Sequence, residues 1–415
     1  MAFARTYFSR RMAAVLCLGF SSGLPLALTG DTLALWLTDH GMSLARIGLF
    51  AAVGTPYVFK FAWAPFLDRF APPFLDRRRG WIVVSQIALA LAVLWMTQCD
   101  PGTSVVGLAA AAFAVAFASA TQDIVIDGWR TETLTGDEAA PSASVHVTGY
   151  RIGMLVSGAG ALLLRGAGFS WPATYVACGA RLAVGVVGAF LAPPAARTVR
   201  PSTLEDAVVL PFRDFLARRG ALFILGFIVV FKLPDVVAGA MTVPFLKQTG
   251  FAPEVIGTMR QGLGIFVTIA GTLAGGWIAA RVGLRRALWI YGILQAVSNL
   301  AFWGLALAGP DVRALGAAVV VENFCAGLVA AGFLGFLQRQ CSPALAATQF
   351  ALLTSLMALP SRFLGMPAGL LAESLGWPAF FAVSALFGLP GLALLGRVHA
   401  RTADASPDLP APAPA

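Results

Sequence analysis

Three polar side chains interrupt the end of an apolar stretch in the first half of this 415-residue chain. They are Gln122, Asp123 and Asp127, in the run FASATQDIVIDGWRTE from residue 117 to 132. A charged side chain near the middle of a bilayer costs about 2.5 to 3.5 kcal/mol on insertion scales, so it usually faces a watery cavity or a partner charge. Two interpretations stay open: the carboxylates cap the end of the helix and pair with Arg130, or they belong to a path for substrate or protons.

Eleven ionisable residues lie inside or at the ends of apolar stretches, which is too many for inert packing. In chain order they are Asp31, Lys60, Asp123, Asp127, Arg151, Arg181, Lys232, Asp235, Arg260, Glu322 and Arg362. A carboxylate that faces a cavity can gain and lose a proton, so Asp123, Asp235 and Glu322 are the candidates for proton coupling. Arg181 and Arg260 can extend toward the lipid edges, and we leave them out of the predicted site.

Lys60, in the run YVFKFAW, has no acidic neighbour at helical spacing, so its partner must come from another helix or from a ligand. Arg151 and Arg362 occupy equivalent positions in the two halves of the chain, and a planar guanidinium suits bidentate recognition of a carboxylate. Glu322 and Asn323, in VENFCAG, lie on another predicted helix. Either Arg362 recognises a ligand, or Glu322 holds it in a fixed ion pair.

Lys232 and Asp235 stand three residues apart in the run FKLPD, so they share a helix face and can neutralise each other. Pro234 between them predicts a kink that frees a backbone carbonyl toward a cavity. A local structural pair and a role in transport both stay open for these two residues. We interpret His146, near the start of the fifth predicted helix, as a surface histidine in preference to a group that titrates in a proton-coupled step.

The composition indicates a polytopic membrane protein whose main partner is the lipid bilayer. Apolar residues make up 58% of the chain and charged residues 12%, about half of the roughly 25% that is usual in soluble domains. The net charge of +9 comes from basic residues in short loops, with no aromatic-interleaved basic patch, so we predict no nucleic-acid partner. The five cysteines form no CxxC or Cys/His pattern, so neither a disulfide framework, a metal site nor a cofactor is predicted.

Twelve segments are apolar for about the 20 residues that a membrane span needs. They cover residues 11–37, 44–67, 80–98, 104–127, 142–164, 171–192, 220–246, 254–280, 286–308, 314–338, 344–371 and 377–396. The first lacks a convincing small-residue cleavage site, so we expect it to be retained as a helix rather than removed as a signal peptide. With nineteen lysines and arginines in the tails and even-numbered loops against four on the other side, both termini are predicted to be cytoplasmic.

The two halves of the chain carry related motifs. YRIGM at 150–154 matches SRFLGM at 361–366, and FSWPATY at 169–175 matches LGWPAFF at 375–381. Two parallel six-helix repeats imply an all-α membrane protein of the major facilitator superfamily fold, with its substrate site between the repeats. We therefore predict a six-helix bundle over residues 1–192, a cytoplasmic connector over 193–219, a second bundle over 220–400 and a disordered Pro/Ala-rich tail over 401–415. Within the connector, Leu204–Leu216 is predicted to be an amphipathic helix on the membrane surface.

Several longer runs carry a family resemblance. GFSSGLPLALTG (19–30), YVFKFAWAPFLDR (57–69), SATQDIVIDGWRTE (119–132), GYRIGMLVSG (149–158), FKLPD (231–235), VENFCAG (321–327) and ATQFALLTSLMALPSR (347–362) resemble the muropeptide permeases of Gram-negative bacteria, the AmpG type. The resemblance implies import of N-acetylglucosaminyl-1,6-anhydro-N-acetylmuramyl peptides across the inner membrane by a proton symporter, for cell-wall recycling. It also implies an indirect role in β-lactamase induction and hence antibiotic resistance. We expect a monomer.

The implied ligand suits the polar residues of the spans. Its lactyl or peptide carboxylate calls for Lys60, Arg151 or Arg362. Its sugar faces and hydroxyl groups suit a second set of side chains, namely Trp63, Gln122, Tyr150, Gln261 and Asn323. Three positions depart from the family pattern: Asp31 replaces a small polar residue, Arg181 interrupts an apolar helix, and Ala280 replaces an acidic residue. These departures leave the ligand range and the coupling stoichiometry open.

Other functions are less well supported by the sequence. A facilitator for another large anionic solute, such as an acyl-coenzyme A, is the main alternative, although a nucleotide phosphate requires more converging basic residues than the sequence offers. A polytopic membrane enzyme requires a nucleophile or base with a partner, and no His/Asp or Ser/His arrangement occurs within the spans. We therefore predict a carrier and not an enzyme.

Overall fold

The computed structural model describes residues 7–195, 203–218 and 220–403, and within these ranges the chain folds into helices and contains no strand. Eleven of the described helices are long and apolar enough to cross a membrane. Their positions agree with eleven of the twelve predicted spans. The remaining span, predicted at 44–67, is present as a series of short helical turns rather than as one helix.

The first half begins with α1 (Arg10–Thr29) and α2 (Asp31–Asp39), which together form the first span. The broken second span contains α3 (Leu44–Leu49), a 3-10 turn (Phe50–Gly54), α4 (Thr55–Phe59), a second 3-10 turn (Lys60–Ala62) and α5 (Ala64–Arg69). The helices that follow are α6 (Arg77–Thr97), α7 (Val105–Thr133), α8 (Ala139–Ser157), α9 (Ala159–Gly166), α10 (Trp171–Ala180) and α11 (Ala183–Leu191).

Two prolines explain why the second span is broken. Pro56 lies in the first turn of α4, and Pro65 lies in the first turn of α5. Proline has no backbone N–H and clashes with the preceding turn, so it is favoured at the start of a helix and disfavoured in its interior. The break leaves Lys60 in a 3-10 turn between the two short helices, on a backbone that differs from a regular helix.

The connector contains α12 (Leu204–Leu216), which confirms the predicted helix with the same bounds. Thr203 and Asp206 form a capping box at its start, a common way to satisfy backbone N–H groups at a helix N-terminus. α12 exposes the large apolar side chains Leu204, Val208, Val209, Leu210, Phe212 and Leu216. Its position on a membrane surface stays a prediction.

The second half contains α13 (Ala221–Val230), α14 (Leu233–Thr249), α15 (Pro253–Gly257), a π-helical turn (Thr258–Leu263), α16 (Gly264–Val282), α17 (Leu284–Ala308), α18 (Val312–Arg339), α19 (Ala346–Phe363), α20 (Gly365–Leu375), α21 (Trp377–Leu386) and α22 (Gly388–Ala403). The repeated WPA motif begins α10 in the first half and α21 in the second. The predicted bundle boundary at 400 falls within α22, and the predicted disordered tail lies outside the described residues from 404 onward.

Glycines allow helices to pack closely within each half. A Cβ atom on Gly23 of α1 would lie 1.9 Å from the backbone oxygen of Tyr150 on α8, and one on Gly153 of α8 would lie 2.2 Å from a backbone oxygen of α1. In the second half, Gly271 and Gly327 let α16 and α18 approach in the same way. Small residues are the usual means of close helix packing in a membrane. This packing fixes α8, which carries several side chains of the site described next.

Candidate functional site

A cavity of about 680 Å³ lies between the two halves. Its walls are formed by α1, the broken second span, α7 and α8 of the first half and by α18 and α19 of the second. The polar side chains that line it are Thr29, Tyr57, Lys60, Asp123, Asp127, Arg130, His146, Tyr150, Arg151 and Thr354. Thus four predicted site residues, Lys60, Asp123, Tyr150 and Arg151, share one cavity.

On α7, three charged side chains at spacings of four and three residues reach this cavity. The Asp127 Oδ1 atom accepts a hydrogen bond from Arg130 Nη1 at 2.8 Å, and its Oδ2 atom lies 4.0 Å from Lys60 Nζ. The expected pairing of Asp127 with Arg130 is therefore present, and Lys60 finds a partner on another helix. The Asp123 Oδ1 atom is buried and has no hydrogen-bond partner among the described residues, so this oxygen remains free for a ligand or a proton.

On α8, His146 and Tyr150 lie one turn apart and Arg151 follows. The His146 and Tyr150 rings are 6.5 Å apart between centroids. The interpretation of His146 as a surface histidine is wrong, because this side chain lines the cavity and its Nδ1 atom is buried. Arg151 Nε is also buried without a hydrogen-bond partner in the described part of the chain. The charge of Asp235, from the second half, acts on Arg151.

Two predicted site residues of the first half lie outside the lining of this cavity and join helices. The Trp63 Nε1 atom donates a hydrogen bond to Thr121 Oγ1 at 3.0 Å, which ties the broken span to α7. Gln122 is fully buried, and its Oε1 atom accepts a hydrogen bond from Gln86 Nε2 at 2.6 Å. Contacts with substrate stay predictions for both residues. The unexpected residues Asp31 and Arg181 are exposed and also lie outside the lining.

The candidate residues of the second half form a separate polar group. Lys232 Nζ lies 3.4 Å from Asp235 Oδ2, which is the local pair that their spacing allows. Asn323 Nδ2 donates a hydrogen bond to Glu322 Oε2 at 3.1 Å. Asp235 and Arg260 interact electrostatically with Glu322, and the Nη1 atom of Arg260 is buried.

Arg260 is therefore a candidate that sequence reasoning left out. Its place in the π-helical turn Thr258–Leu263 is itself a signal, since such turns occur frequently at functional sites. The side chains of Gln261 and Arg362 lie outside the described residues. The predicted Arg362–Glu322 pair and the roles of both side chains thus stay predictions.

A buried charge network joins the halves at the end of the bundle nearest the connector. Asp68 Oδ2 accepts hydrogen bonds from Thr348 N at 2.9 Å and Thr348 Oγ1 at 2.6 Å, at the start of α19 in the second half. Asp68 Oδ1 accepts another from Arg78 Nη2 at 2.6 Å, and Arg78 also bonds to Glu132. Sequence reasoning interpreted the arginines of this loop as topology signals only. Their pairing with Asp68 and Glu132 depends on three helices that the chain brings together in space.

A second contact between the halves lies beside this network. Gln338 Nε2 of α18 donates hydrogen bonds to the backbone oxygens of Arg130 at 2.9 Å and Leu134 at 2.5 Å. Its Oε1 atom accepts one from Arg130 Nη2 at 3.3 Å. Further along, Arg339 donates to the backbone oxygen of Gly136 at 2.5 Å. These contacts close the cavity at the connector end.

A cavity between two halves of a helical membrane bundle, closed at one end by polar contacts, is the arrangement of a facilitator-type carrier. The family model for the Major Facilitator Superfamily matches residues 14–366. A crystal structure of a bacterial homologue of the iron transporter ferroportin in an outward-facing state has a TM-score of 0.69 and 15% identity, over 96% of this chain and 100% of that one. The chain belongs to the major facilitator superfamily and is a multi-pass membrane protein.

Sequence relatives narrow the family further. The anhydromuropeptide permease of Escherichia coli strain K12 is 43% identical over 395 residues, which are 95% of this chain and 80% of that protein. A putative transporter AmpG 4 of Rickettsia felis is 32% identical over 95% of this chain and 98% of its own length. The chain therefore belongs to the AmpG-type permease family within the superfamily. These relatives are transporters, which confirms the prediction of a carrier rather than an enzyme.

Proposed function

We propose that this protein imports anhydromuropeptides, N-acetylglucosaminyl-1,6-anhydro-N-acetylmuramic acid with or without its peptide, from the periplasm to the cytoplasm. The observation that carries the proposal is the cavity between the halves, in which cations, a free carboxylate oxygen and apolar walls face the same space. The name of the Escherichia coli relative, anhydromuropeptide permease, supports this substrate class. The imported products serve peptidoglycan recycling.

The size and chemistry of the cavity fit such a ligand. A volume of about 680 Å³ lies within the usual range of small-molecule sites, which are mostly apolar with a few converging polar groups. Lys60 and Arg151 suit the lactyl or peptide carboxylate, because charge-assisted hydrogen bonds to a carboxylate are strong. The ring of Tyr150 offers an apolar face and a hydroxyl group to a sugar. An acyl-coenzyme A remains the alternative ligand to be tested.

The closed end of the cavity indicates the side of the membrane from which the site is reached. The excess of lysine and arginine on the connector side predicts that this side and both termini are cytoplasmic. With the connector end closed, the cavity is then accessible from the periplasm. Alternating access between the two halves would release the substrate into the cytoplasm, with one chain as the working unit.

We assign the coupling proton to Asp123. The cation that acts on Asp123 is Lys60, whereas Arg151 interacts with Tyr150 and Asp235. A ligand carboxylate that attracts Lys60 leaves Asp123 less compensated, and an uncompensated carboxylate in a low-dielectric cavity takes up a proton. Substrate and proton would then bind together. Asp235 and Glu322 are the next candidates.

The test is uptake of labelled anhydromuropeptide into right-side-out and inverted vesicles with an imposed pH gradient. Wild-type protein should accumulate the ligand when the outside is acidic, and labelled acyl-coenzyme A should not enter. Asp123→Asn should exchange ligand between equal pools but fail to concentrate it, because the amide carries no removable proton. Asp31→Asn, at an exposed position, is the matched control. Accumulation by Asp123→Asn would move the proton site elsewhere, and uptake of acyl-coenzyme A alone would favour the alternative ligand.

A further inference from the structure

The floor of the cavity, at its connector end, brings together side chains from three different segments. They are Lys60, Arg130 and His146, and the carboxylate of Asp127 lies beside the first two. One carboxylate oxygen of Asp127 accepts a hydrogen bond from Arg130 Nη1 at 2.8 Å, and the other lies 4.0 Å from Lys60 Nζ. Both oxygens of Asp127 are thus engaged by protein cations, and Lys60 also interacts with Asp123. We use the term floor cluster for Lys60, Asp127, Arg130 and His146.

Two nitrogen atoms of the floor cluster have no hydrogen-bond partner among the residues that the structure describes. Arg130 Nε and His146 Nδ1 are both buried, and neither makes a hydrogen bond within the described part of the chain. Arg130, Lys60 and His146 line the same cavity, and both cations act electrostatically on His146. Buried polar groups are nearly always hydrogen-bonded, and a charged donor left without an acceptor is costly. Arginine has five N–H donors and no acceptor, so the missing partner of Arg130 is an acceptor.

We propose that the floor cluster is an anion-binding subsite in which Arg130 and His146, together with Lys60, hold the carboxylate of the transported ligand. This inference rests on the proposed function and adds two specificity-determining residues to it. Arg151 lies more than one turn further along α8 than His146. It is then available for the rest of the ligand or for Asp235 of the second half.

Arg130 also connects the subsite to the closed end of the cavity. Its Nη2 atom donates to Gln338 Oε1 in the second half at 3.3 Å, a long hydrogen bond to a neutral acceptor. A carboxylate is a stronger acceptor for a guanidinium than an amide oxygen is. Ligand binding at the floor therefore competes with Gln338 for Arg130 and weakens one contact that keeps the halves together.

The experiment compares two ligands that differ only in charge. Purified full-length protein in nanodiscs is titrated by calorimetry with N-acetylglucosaminyl-1,6-anhydro-N-acetylmuramic acid and with the N-methylamide of its lactyl carboxylate. Wild-type protein should bind the acid about tenfold more tightly than the amide, as expected for loss of a charge-assisted hydrogen bond. Arg130→Gln and His146→Leu should each reduce this preference to about threefold or less and leave the affinity for the amide nearly unchanged. Arg181→Gln, which removes an exposed arginine, should keep the full preference.

Each outcome decides a different claim. Equal affinity of the wild-type protein for both ligands would overturn the subsite and leave the proposed function in place. Full preference in both Arg130→Gln and His146→Leu would also overturn it, because the carboxylate would then bind elsewhere. If Arg130→Gln binds neither ligand, its fold is damaged. The acid-over-amide preference of His146→Leu, compared with that of the wild-type protein, then decides whether the subsite exists. Absence of binding of either ligand to the wild-type protein would refute the proposed function, and the subsite with it.

Discussion

Asp68→Ala should open the connector end of the cavity. The side chain is fully buried and accepts hydrogen bonds from Thr348 N, Thr348 Oγ1 and Arg78 Nη2. The two hydrogen bonds from Thr348 cross between the halves, and a hydrogen bond to a charged group contributes about 1.5 to 3 kcal/mol. Arg78 belongs to the same half as Asp68 and keeps its hydrogen bonds to Glu132 at 3.0 and 2.5 Å, so its loss of Asp68 affects the open and closed forms alike. We therefore expect about 3 kcal/mol from the two Thr348 hydrogen bonds together.

The cost applies to the closed form, since Thr348 belongs to the second half and meets Asp68 only while the halves are together. A difference of about 3 kcal/mol shifts a two-state equilibrium by about 150-fold. Cross-linking provides the assay, because Arg339 Nη2 lies 3.5 Å from Asp137 Oδ1 across the same closed end. Cysteines at 137 and 339, in a chain without its five native cysteines, should react with a short bis-maleimide.

We expect a high cross-linking yield in the parent chain and a much lower yield with Asp68→Ala. Asp68→Asn retains one acceptor oxygen and should fall between the two. Glu373→Ala, at an exposed position on α20, should behave like the parent chain. An unchanged yield in Asp68→Ala, with the protein present in the membrane at parental levels, would refute the role of the Asp68–Thr348 contact in closure.

Three further predictions concern the ligand, the connector and helix packing. Lys60→Met and Arg151→Gln should each lower anhydromuropeptide uptake about tenfold or more at unchanged protein level, since each removes a charge-assisted hydrogen bond. Lys247→Met, at an exposed position near the end of α14, should not, and normal uptake by both Lys60→Met and Arg151→Gln would remove these residues from the site. The pKa of Asp214 on α12 is lowered from its ordinary value of 3.8, because hydrogen bonds from Gln349, Ser342 and Arg218 outweigh the opposing effect of burial. A lowered pKa in the folded state stabilises the protein at pH values above the ordinary pKa, and this stability is lost as the pH falls through the folded-state pKa. Thermal melts should therefore show Asp214→Asn less stable than wild type at pH 7, with the difference in melting temperature shrinking below about pH 4. A difference that stays constant with pH would contradict this. Gly23→Leu should destabilise the α1–α8 contact by about 1 to 3 kcal/mol or more, visible as a lower melting temperature in detergent, whereas Gly166→Ala, which has open space around it, should leave the melting temperature unchanged.

Much of the fold follows from hydropathy along the chain, because a bilayer requires long apolar helices whatever their neighbours are. The bounds of α12 were also predictable, since Thr203 and Asp206 form a recognisable capping box before an amphipathic run. The broken second span was missed for a physical reason. Its composition is apolar enough to cross a membrane, but Pro56 and Pro65 start new helices within it. A hydropathy profile scores side chains and carries no information about breaks in backbone hydrogen bonding.

The site was only partly predictable for a different reason. Spacing along a helix identifies neighbours on the same face, and this was sufficient for the pairs Asp127–Arg130 and Lys232–Asp235. It cannot identify a partner on another helix, so the approach of Lys60 to Asp127 required the structure. His146 was misjudged because it follows a loop in sequence, although the helix that carries it faces the cavity.

The position of α7 explains how ligand, proton and closure can influence one another. This helix carries Asp123 and Asp127 in the cavity, Arg130 in the floor cluster and Glu132 in the charge network at the closed end. At a rise of about 1.5 Å per residue, the distance along the helix from the first of these to the last is about 14 Å. A change of charge or contact at any of them acts on the same rigid element, so no long chain of intermediate side chains is needed to couple the sites. Arg130 is the group whose loss should separate them, because its side chain touches both the cavity carboxylate Asp127 and, through Gln338, the second half.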